Sequence, residues 1–371
     1  MCIVIDARMI SGQKTGDRTF ALGILRGLAQ TLADDGIEIV VVLQNQTGAR
    51  LIPKHPAFRV EVQPGLPGPL WMPLTFPRLL SRLDADVALV NYLGPFRAPC
   101  PLVTVVHDVV WRALPHSFPA RDRLLLDRFL PGTLRRAAAV VTVSEFSRGE
   151  IIKYFGVPRG KIHIVPNAAD ERFHPVEDAA EMAQLRDRYG LPEKFVLNLG
   201  VIHPRKNVNG LIRAYTALPE AVREQYGLVI TGRHGWGEAL PATLTGSVGP
   251  GSVCFTGYVP DEDLPALYSA ATAFAYPSLY EGFGIPPLEA MACGTPVVAS
   301  NVASLPDVVG DAALMVDPRS TESIRDGLEQ ILGDAELRAR LREAGFERVK
   351  QFSWRSSAER MLAVLRSAAR D

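Results

Sequence analysis

Cysteine is scarce in this chain, and its placement excludes two kinds of scaffold. The four present, Cys2, Cys100, Cys254 and Cys293, are far apart and form no Cys-x-x-Cys pair. They read as small core residues of a reduced cytosolic protein, not as a disulfide or zinc framework. An excess of charge of either sign is also missing: Lys plus Arg and Asp plus Glu both number 40. Overall charge therefore gives no reason to expect a nucleic-acid partner. No apolar run approaches the roughly 18 to 20 residues that span a bilayer. The opening Met1-Cys-Ile-Val-Ile-Asp6 is an apolar strand meeting an acid, which is unlike a signal peptide. Low-complexity tracts and solenoid-length repeats are absent as well.

What is present is a chain long enough for two domains, with 47% hydrophobic and 22% charged residues among 371. Strand and helix patterns alternate almost throughout, which predicts parallel sheets covered by helices on both faces. In the first half, residues 3–5, 37–43, 86–90, 102–106, 138–143 and 162–165 read as strands. Residues 19–32, 121–136 and 144–155 read as helices, with Ser144 able to cap the last. A second half opens at Phe195-Val-Leu-Asn-Leu199 and continues in the same alternation. Its closing helices cover 321–332, 336–350 and 354–369. Residues 166–192 mix turn chemistry with a charged helical piece and read as the linker. The fold class expected is α/β, with two Rossmann-like halves and a cleft between them.

The stretch Glu281-Gly-Phe-Gly-Ile-Pro-Pro-Leu-Glu289 carries the most information. It follows an apolar run that reads as a buried strand, and it leads into a short helix expected from Leu288 to Cys293 and closed at Gly294. Glu281 is thus placed at a strand's C-terminal end, where open α/β sheets bind ligands, and Glu289 in the helix beyond. Two acceptor-only side chains flanking exposed amides suit a ligand with hydroxyls at both ends and phosphate between.

Three further stretches end strands of the same kind. In Gly200-Val-Ile-His-Pro-Arg-Lys-Asn207, the cations Arg205 and Lys206 could clamp a diphosphate, where an isolated pair would read as a solvated turn. The turn Ser11-Gly-Gln-Lys-Thr-Gly16 could bring backbone amides to an anion; a plain flexible turn accounts for it equally well. Val103-Thr-Val-Val-His107-Asp108 ends on a histidine that either meets a sugar hydroxyl or is satisfied by backbone in the core. Asp261-Glu-Asp263 reads as helix capping and dipole complementation, and Asp84-Ala-Asp86 as a turn. No catalytic metal is expected.

Together these stretches resemble the retaining glycosyltransferases of the GT-B fold, family 4, which include sucrose synthases and many bacterial mannosyltransferases. The resemblance covers nearly the whole chain. It is carried by Glu281 and Glu289 as the family's Glu-x7-Glu, by Pro204-Arg-Lys-Asn207, Phe255-Thr-Gly-Tyr-Val-Pro260, Val143-Ser-Glu-Phe-Ser147, Pro166-Asn167 and Phe352-Ser-Trp354. It implies an acceptor-binding N-terminal domain over residues 1–170, a linker over 171–192 and a nucleotide-sugar domain over 193–352. A C-terminal helix, 353–371, would pack back on the first domain.

By position, Glu281 would bond donor-sugar hydroxyls and Glu289 the ribose. Arg205 and Lys206 would hold the diphosphate with the amides of Phe283, Gly284 and Ile285, and Tyr258 and Val259 would seat the base. Gly12 and Gly16 would close over the phosphates, and His107 would stand by the transferred sugar. Two departures from the family pattern are Val201, where some members carry a basic residue, and Asp17-Arg18, where many have a second glycine.

The resemblance implies hexosyl transfer, with mannose from GDP-mannose as the first expectation and a UDP- or ADP-sugar acting on a small acceptor as the alternative. A nucleotide diphosphate sugar would be the donor and no cofactor is expected. A saccharide or lipid-linked saccharide would be the acceptor, in cell-surface polysaccharide or glycoconjugate synthesis. A sugar-nucleotide epimerase and a non-catalytic sugar-nucleotide sensor are weaker alternatives on the same scaffold. The expected location is cytoplasmic. The stretch Pro64–Pro77 with Trp71, and the Arg-rich helix 121–136 with Leu124 to Leu126, read either as surfaces for the acceptor or a peripheral membrane contact, or as a pinned loop and an ordinary half-buried helix.

Overall fold

The computed structural model describes residues 1–12, 15–32, 36–63, 70–233, 235 and 251–370. The chain divides into two compact units, Met1–Asn167 with Phe352–Asp371, and Ala168–Gln351. Each is built on one parallel sheet, as the alternation predicts.

The first unit has strands β1 (Cys2–Asp6), β2 (Glu38–Leu43), β3 (Phe58–Val62), β4 (Val87–Asn91), β5 (Leu102–Val105), β6 (Ala139–Thr142) and β7 (Ile162–Ile164). They lie in the order β3-β2-β1-β4-β5-β6-β7, all parallel. Five successive residues of β2, Ile39 to Leu43, are buried, which is how a strand covered on both faces reads. Its described helices include α1 (Gly16–Thr31), α2 (Ala120–Arg136) and α3 (Glu145–Phe155). Ser144 caps α3, accepting from the Ser147 amide at 3.0 Å, and Gly156 ends it with φ 64°.

The second unit has β8 (Phe195–Leu199), β9 (Gly227–Thr231), β10 (Val253–Gly257), β11 (Ala273–Tyr276), β12 (Val297–Ser300) and β13 (Ala313–Val316), ordered β10-β9-β8-β11-β12-β13 and again parallel. Around it lie α4 (Ala179–Tyr189), α5 (Val208–Thr216), α6 (Leu264–Ala270), α7 (Ile285–Ala292), α8 (Thr321–Gly333) and α9 (Ala335–Val349). Helix α5 shows why: Val208, Leu211, Ile212 and Tyr215 recur at helical spacing and all are buried.

In both sheets the chain reverses its direction of strand addition once, between β1 and β4 and between β8 and β11. The loops leaving two such strands diverge to opposite faces and open a crevice at their C-terminal ends. Arg205 and Lys206 follow β8, and Glu281 follows β11.

Several boundaries differ from the sequence expectation for physical reasons. Helix α1 begins at Gly16 instead of residue 19, because the Thr15 hydroxyl caps it by accepting from the Arg18 amide at 3.3 Å. Helix α7 begins at Ile285 instead of Leu288: Pro286 and Pro287 occupy its first turn, where a missing N–H has no helical partner to lose. Strand β3 was not anticipated, since Arg59 and Glu61 interrupt its apolar pattern. As an edge strand it leaves Arg59 exposed and Glu61 half-buried, and Arg59 pairs with Glu38 of β2 at 3.4 Å.

Asp263 precedes α6 but makes no side-chain cap; it instead accepts from Arg188 at 2.8 Å and from the Tyr189 hydroxyl. Trp71 is 0% exposed, packed against Phe76 with the Arg8 guanidinium 4.3 Å over its ring. It is therefore closed to an acceptor or a membrane, while residues 64–69 of the same stretch lie outside the described residues.

The C-terminal helix α10 (Trp354–Ala368) packs on α1 through two glycines. The Trp354 ring occupies the space a Gly23 side chain would need, and a Cβ on Gly27 would sit 2.1 Å from the Trp354 carbonyl oxygen. Alanine normally gains about 1 kcal/mol over glycine inside a helix. Here the obstructing atom is backbone, and forced overpacking costs about 1 to 3 kcal/mol. Gly27→Ala should therefore lower the Tm despite its better helix propensity; a thermal scan showing an unchanged or raised Tm contradicts this packing.

Candidate active site

The loop after β8 is held by its own polar contacts. His203 accepts from the Arg205 amide through Nδ1 at 3.3 Å. Asn207 follows in the left-handed region at φ 56°, a conformation asparagine tolerates better than most residues. Its amide donates to the carbonyls of Pro277, at 3.2 Å, and Pro318, at 2.7 Å. This ties the β8 loop to the β11 loop. The β11 loop is fixed from the other side by Ser304, whose hydroxyl donates to the carbonyls of Glu281 and Phe283 at 2.9 and 2.8 Å.

Between these loops Arg205, Lys206 and Glu281 converge. Glu281 is 6% exposed. One carboxylate oxygen accepts from Arg205 at 2.7 Å and the other from Lys206 at 2.7 Å. Arg205 also donates to the Tyr280 carbonyl at 3.2 Å. The Lys206 ammonium donates to the Tyr276 hydroxyl and lies 4.6 Å from the centre of that ring. Burial by itself would raise the Glu281 pKa. The charges of Arg205 and Lys206, and their hydrogen bonds, outweigh it and bring the carboxyl down to about 2. Two cations and one anion leave a single positive charge in excess, which suits an anionic ligand.

Glu289 stands apart from this triad. It is buried on α7 and accepts from the Tyr268 hydroxyl at 2.9 Å. Phe283 and Gly284 are buried, and Gly284, at φ 97°, precedes the first turn of α7. A side chain on Gly284 would meet Leu305 at 2.6 Å. The Gly284 and Ile285 amides belong to the helix end, where N–H groups lack intrahelical partners. Tyr258 is 50% exposed, with the Arg233 guanidinium 4.5 Å over its ring. The Val259 side chain, by contrast, is turned into the core.

The remaining expected residues lie in the first unit. His107 follows β5 and is nearly buried, its ring edge-on to Phe20 at 4.9 Å. Its Nε2 is 3.5 Å from an Asp17 oxygen, and the other Asp17 oxygen accepts from the Asn91 amide at 3.0 Å. Gly12 closes a 3-10 turn at Arg8–Ser11, and Gly16 opens α1. Arg18 spends a hydrogen bond on the Gly12 carbonyl, at 2.9 Å. Gln13 and Lys14 of this turn lie outside the described residues.

Sequence reasoning missed Tyr276, Tyr268, Asp17, Asn91 and Arg233. The signal available for Tyr276 and Asn91 was their place as the last residues of strands at the two reversal points. Among the described residues, no group of three or more His, Cys, Asp or Glu is arranged to hold a metal.

The chain is similar to known proteins in sequence and in fold. The profile described as "Glycosyl transferases group 1" matches residues 182–348, and that described as "Glycosyltransferase Family 4" matches residues 24–173. The O-antigen chain mannosyltransferase B of Escherichia coli is 41% identical over 288 residues, covering 76% of this chain and 75% of that protein. The GDP-mannose-dependent alpha-(1-6)-phosphatidylinositol monomannoside mannosyltransferase of Mycobacterium tuberculosis is 31% identical over 325 residues, covering 81% and 80%. The structure of Anabaena Alr3699/HepE in complex with UDP-glucose superposes with a TM-score of 0.75 over 99% of both chains, at 20% identity.

The ion triad makes a prediction about acid stability. Glu281 is held at about 2 in the folded protein against an ordinary 4.5. Its contribution is therefore complete above about 4.5 and is lost as the pH falls toward 2, and linkage puts it on the order of 3 kcal/mol. Thermal unfolding of the wild type and of Glu281→Gln should differ most near neutral pH, and the gap should narrow between pH 4.5 and 2. A gap constant across that window contradicts the pairing.

Proposed function

The chain belongs to glycosyltransferase family 4, and from that premise we propose that it moves a mannosyl group from GDP-mannose to a hydroxyl of a saccharide or lipid-linked saccharide, with the anomeric configuration retained. The observation that carries the reading is the triad at the ends of β8 and β11. It holds a cationic pair beside a carboxylate in a buried setting, where a sugar diphosphate needs both. Two mannosyltransferases among its relatives support the choice of sugar, and the GDP-mannose dependence of one supports the choice of base.

In this reading the bond between the anomeric carbon and a β-phosphate oxygen breaks as a bond from the acceptor oxygen to that carbon forms. The electron pair leaves on the phosphate, the acceptor proton passes to that phosphate oxygen, and GDP departs. The transition state is oxocarbenium-like. Arg205 and Lys206 stabilise charge developing on the leaving group, joined by the amides of Phe283, Gly284 and Ile285. These groups, and no metal ion, are assigned that work.

Glu281 both orients the two cations and accepts from sugar hydroxyls. Glu289 takes the ribose, and Tyr258 with Arg233 over its ring offers the base a flat face. In the first unit, His107 is assigned to the transferred sugar, and Gly12 and Gly16 to the phosphates.

Thermal shifts with GDP-, UDP- and ADP-sugars, followed by turnover of the sugar that stabilises, test the reading. GDP-mannose should give the largest shift. Lys206→Ala should lower its turnover by about 2 to 4 kcal/mol, roughly 30- to 900-fold. A larger response to a UDP-sugar overturns the donor, and near-wild-type turnover in Lys206→Ala overturns the role of the clamp.

The reading extends to location: cytoplasmic, with peripheral contact at the inner face of the membrane that would carry a lipid-linked acceptor. No helix of the described residues is long and apolar enough to cross a membrane. On α2, Leu124 is 71% exposed, with Leu125 and Phe129 also exposed. The Phe129 ring meets that of Phe96, itself 58% exposed, at 5.9 Å. The guanidinium of Arg128 lies 5.6 Å from the Phe129 ring, and that of Arg136 lies 5.7 Å from the Phe96 ring. Apolar side chains interleaved with arginines are what an anionic leaflet attracts. The protein should float with vesicles containing anionic lipid, and Leu124→Glu combined with Phe129→Glu should abolish this. Flotation unaffected by the pair, or absent in the wild type, removes the contact.

A further inference from the structure

We propose that Tyr268 is a positioning residue for nucleotide binding, holding the Glu289 carboxylate in the orientation that a ribose hydroxyl requires. This rests on the assignment of Glu289 to the ribose and goes beyond it by naming what makes that carboxylate competent.

A glutamate carboxylate rotates broadly about its last torsion, and the sequence offers nothing to stop it. The structure does. Tyr268 is carried by α6 and its side chain is fully buried. The ring is wedged edge-on between Phe173, at 5.8 Å, and Phe274, at 5.3 Å. Its carbonyl accepts from the Thr295 hydroxyl at 2.6 Å, which pins the backbone beneath it. From this fixed base the hydroxyl donates to Glu289 Oε2 at 2.9 Å.

The direction of that bond is settled by chemistry. Burial first, and then the negative charge of Glu289, hold the phenol well above its ordinary pKa. Tyr268 therefore remains a donor at any working pH. A donor that cannot move, bound to one oxygen of a buried carboxylate, fixes the plane of the whole group. The positive charge of Arg172 also acts on Glu289.

A phenol that merely satisfied a buried charge would matter equally for every ligand. A positioning residue should matter only where the ligand carries the hydroxyl that Glu289 accepts. Tyr268→Phe keeps both ring contacts and removes only the donor. Calorimetry of GDP, of UDP, and of their 2′-deoxy and 3′-deoxy forms, on wild type and variant, separates the two roles.

The wild type should prefer the ribonucleotide over at least one deoxy form. Tyr268→Phe should lose about ten- to a hundredfold in affinity for the ribonucleotide and little for that deoxy form, so that the preference collapses. A preference kept intact in the variant overturns the positioning role while leaving Glu289 on the ribose. A wild type without any preference overturns the assignment of Glu289 itself. Should Tyr268→Phe be recovered unfolded, Glu289→Gln is compared with the pair Tyr268→Phe and Glu289→Gln, where no buried charge lacks its donor. Equal affinities are expected, and a further loss in the pair overturns the inference.

Discussion

A carboxylate enclosed almost entirely by protein is costly to keep ionised unless cations are brought to it. Glu281 meets that condition only because the loops after β8 and β11 are neighbours, and they are neighbours only because strand addition reverses there. The remaining features of the loop pair serve the same end. Asn207 accepts a left-handed backbone to reach the carbonyls of Pro277 and Pro318, and Ser304 clasps the loop at the carbonyls of Glu281 and Phe283. Sheet order, loop conformation and charge are thus one constraint expressed at three scales.

The first unit repeats the topology with different chemistry. Its reversal lies between β1 and β4, and the side chains gathered near it are Asp17, Asn91 and, from the end of β5, His107. Where the second unit collects cations around one carboxylate, the first aligns an amide, a carboxylate and an imidazole. The former suits a phosphate; the latter is a set of hydrogen-bonding groups of the kind that reads hydroxyls. One fold, used twice, supplies the same crevice and leaves the loop residues to decide what each can hold.

Much of this was legible in the sequence because it depends on period and spacing. The alternation of buried strands and amphipathic helices predicts two parallel sheets. The seven residues between Glu281 and Glu289 place one on a loop and one on a helix even though α7 begins three residues earlier than expected. What stayed hidden depends on partners distant in sequence. Tyr276 and Tyr268 read as core aromatics, and only the fold brings their hydroxyls to Lys206 and Glu289. The proline-rich stretch with Trp71 reads either as a contact surface or as a pinned loop until Phe76 and Arg8 are seen to enclose the indole. Asp263 reads as a helix cap until Arg188 and Tyr189 are seen to claim it. A polar group at a helix start has two outlets, and tertiary structure chooses between them.

The triad also constrains how a diphosphate can enter. If the ligand displaced Glu281 from Arg205 and Lys206, it would leave a buried carboxylate uncompensated, at a cost of roughly 3 to 5 kcal/mol. That would consume a large part of the affinity expected for a nucleotide. The cations need not exchange partners, however. A guanidinium carries five N–H donors and an ammonium three, so each can serve Glu281 and a phosphate oxygen together. Sharing would keep the carboxylate paired throughout and leave the cations in place for the leaving group that the proposed reaction requires. In the proposed reading the same carboxylate would stand beside the bound phosphates and accept from hydroxyls of the sugar they carry. Holding the clamp and reading the sugar would then be one task, carried by a single buried glutamate between two strand ends.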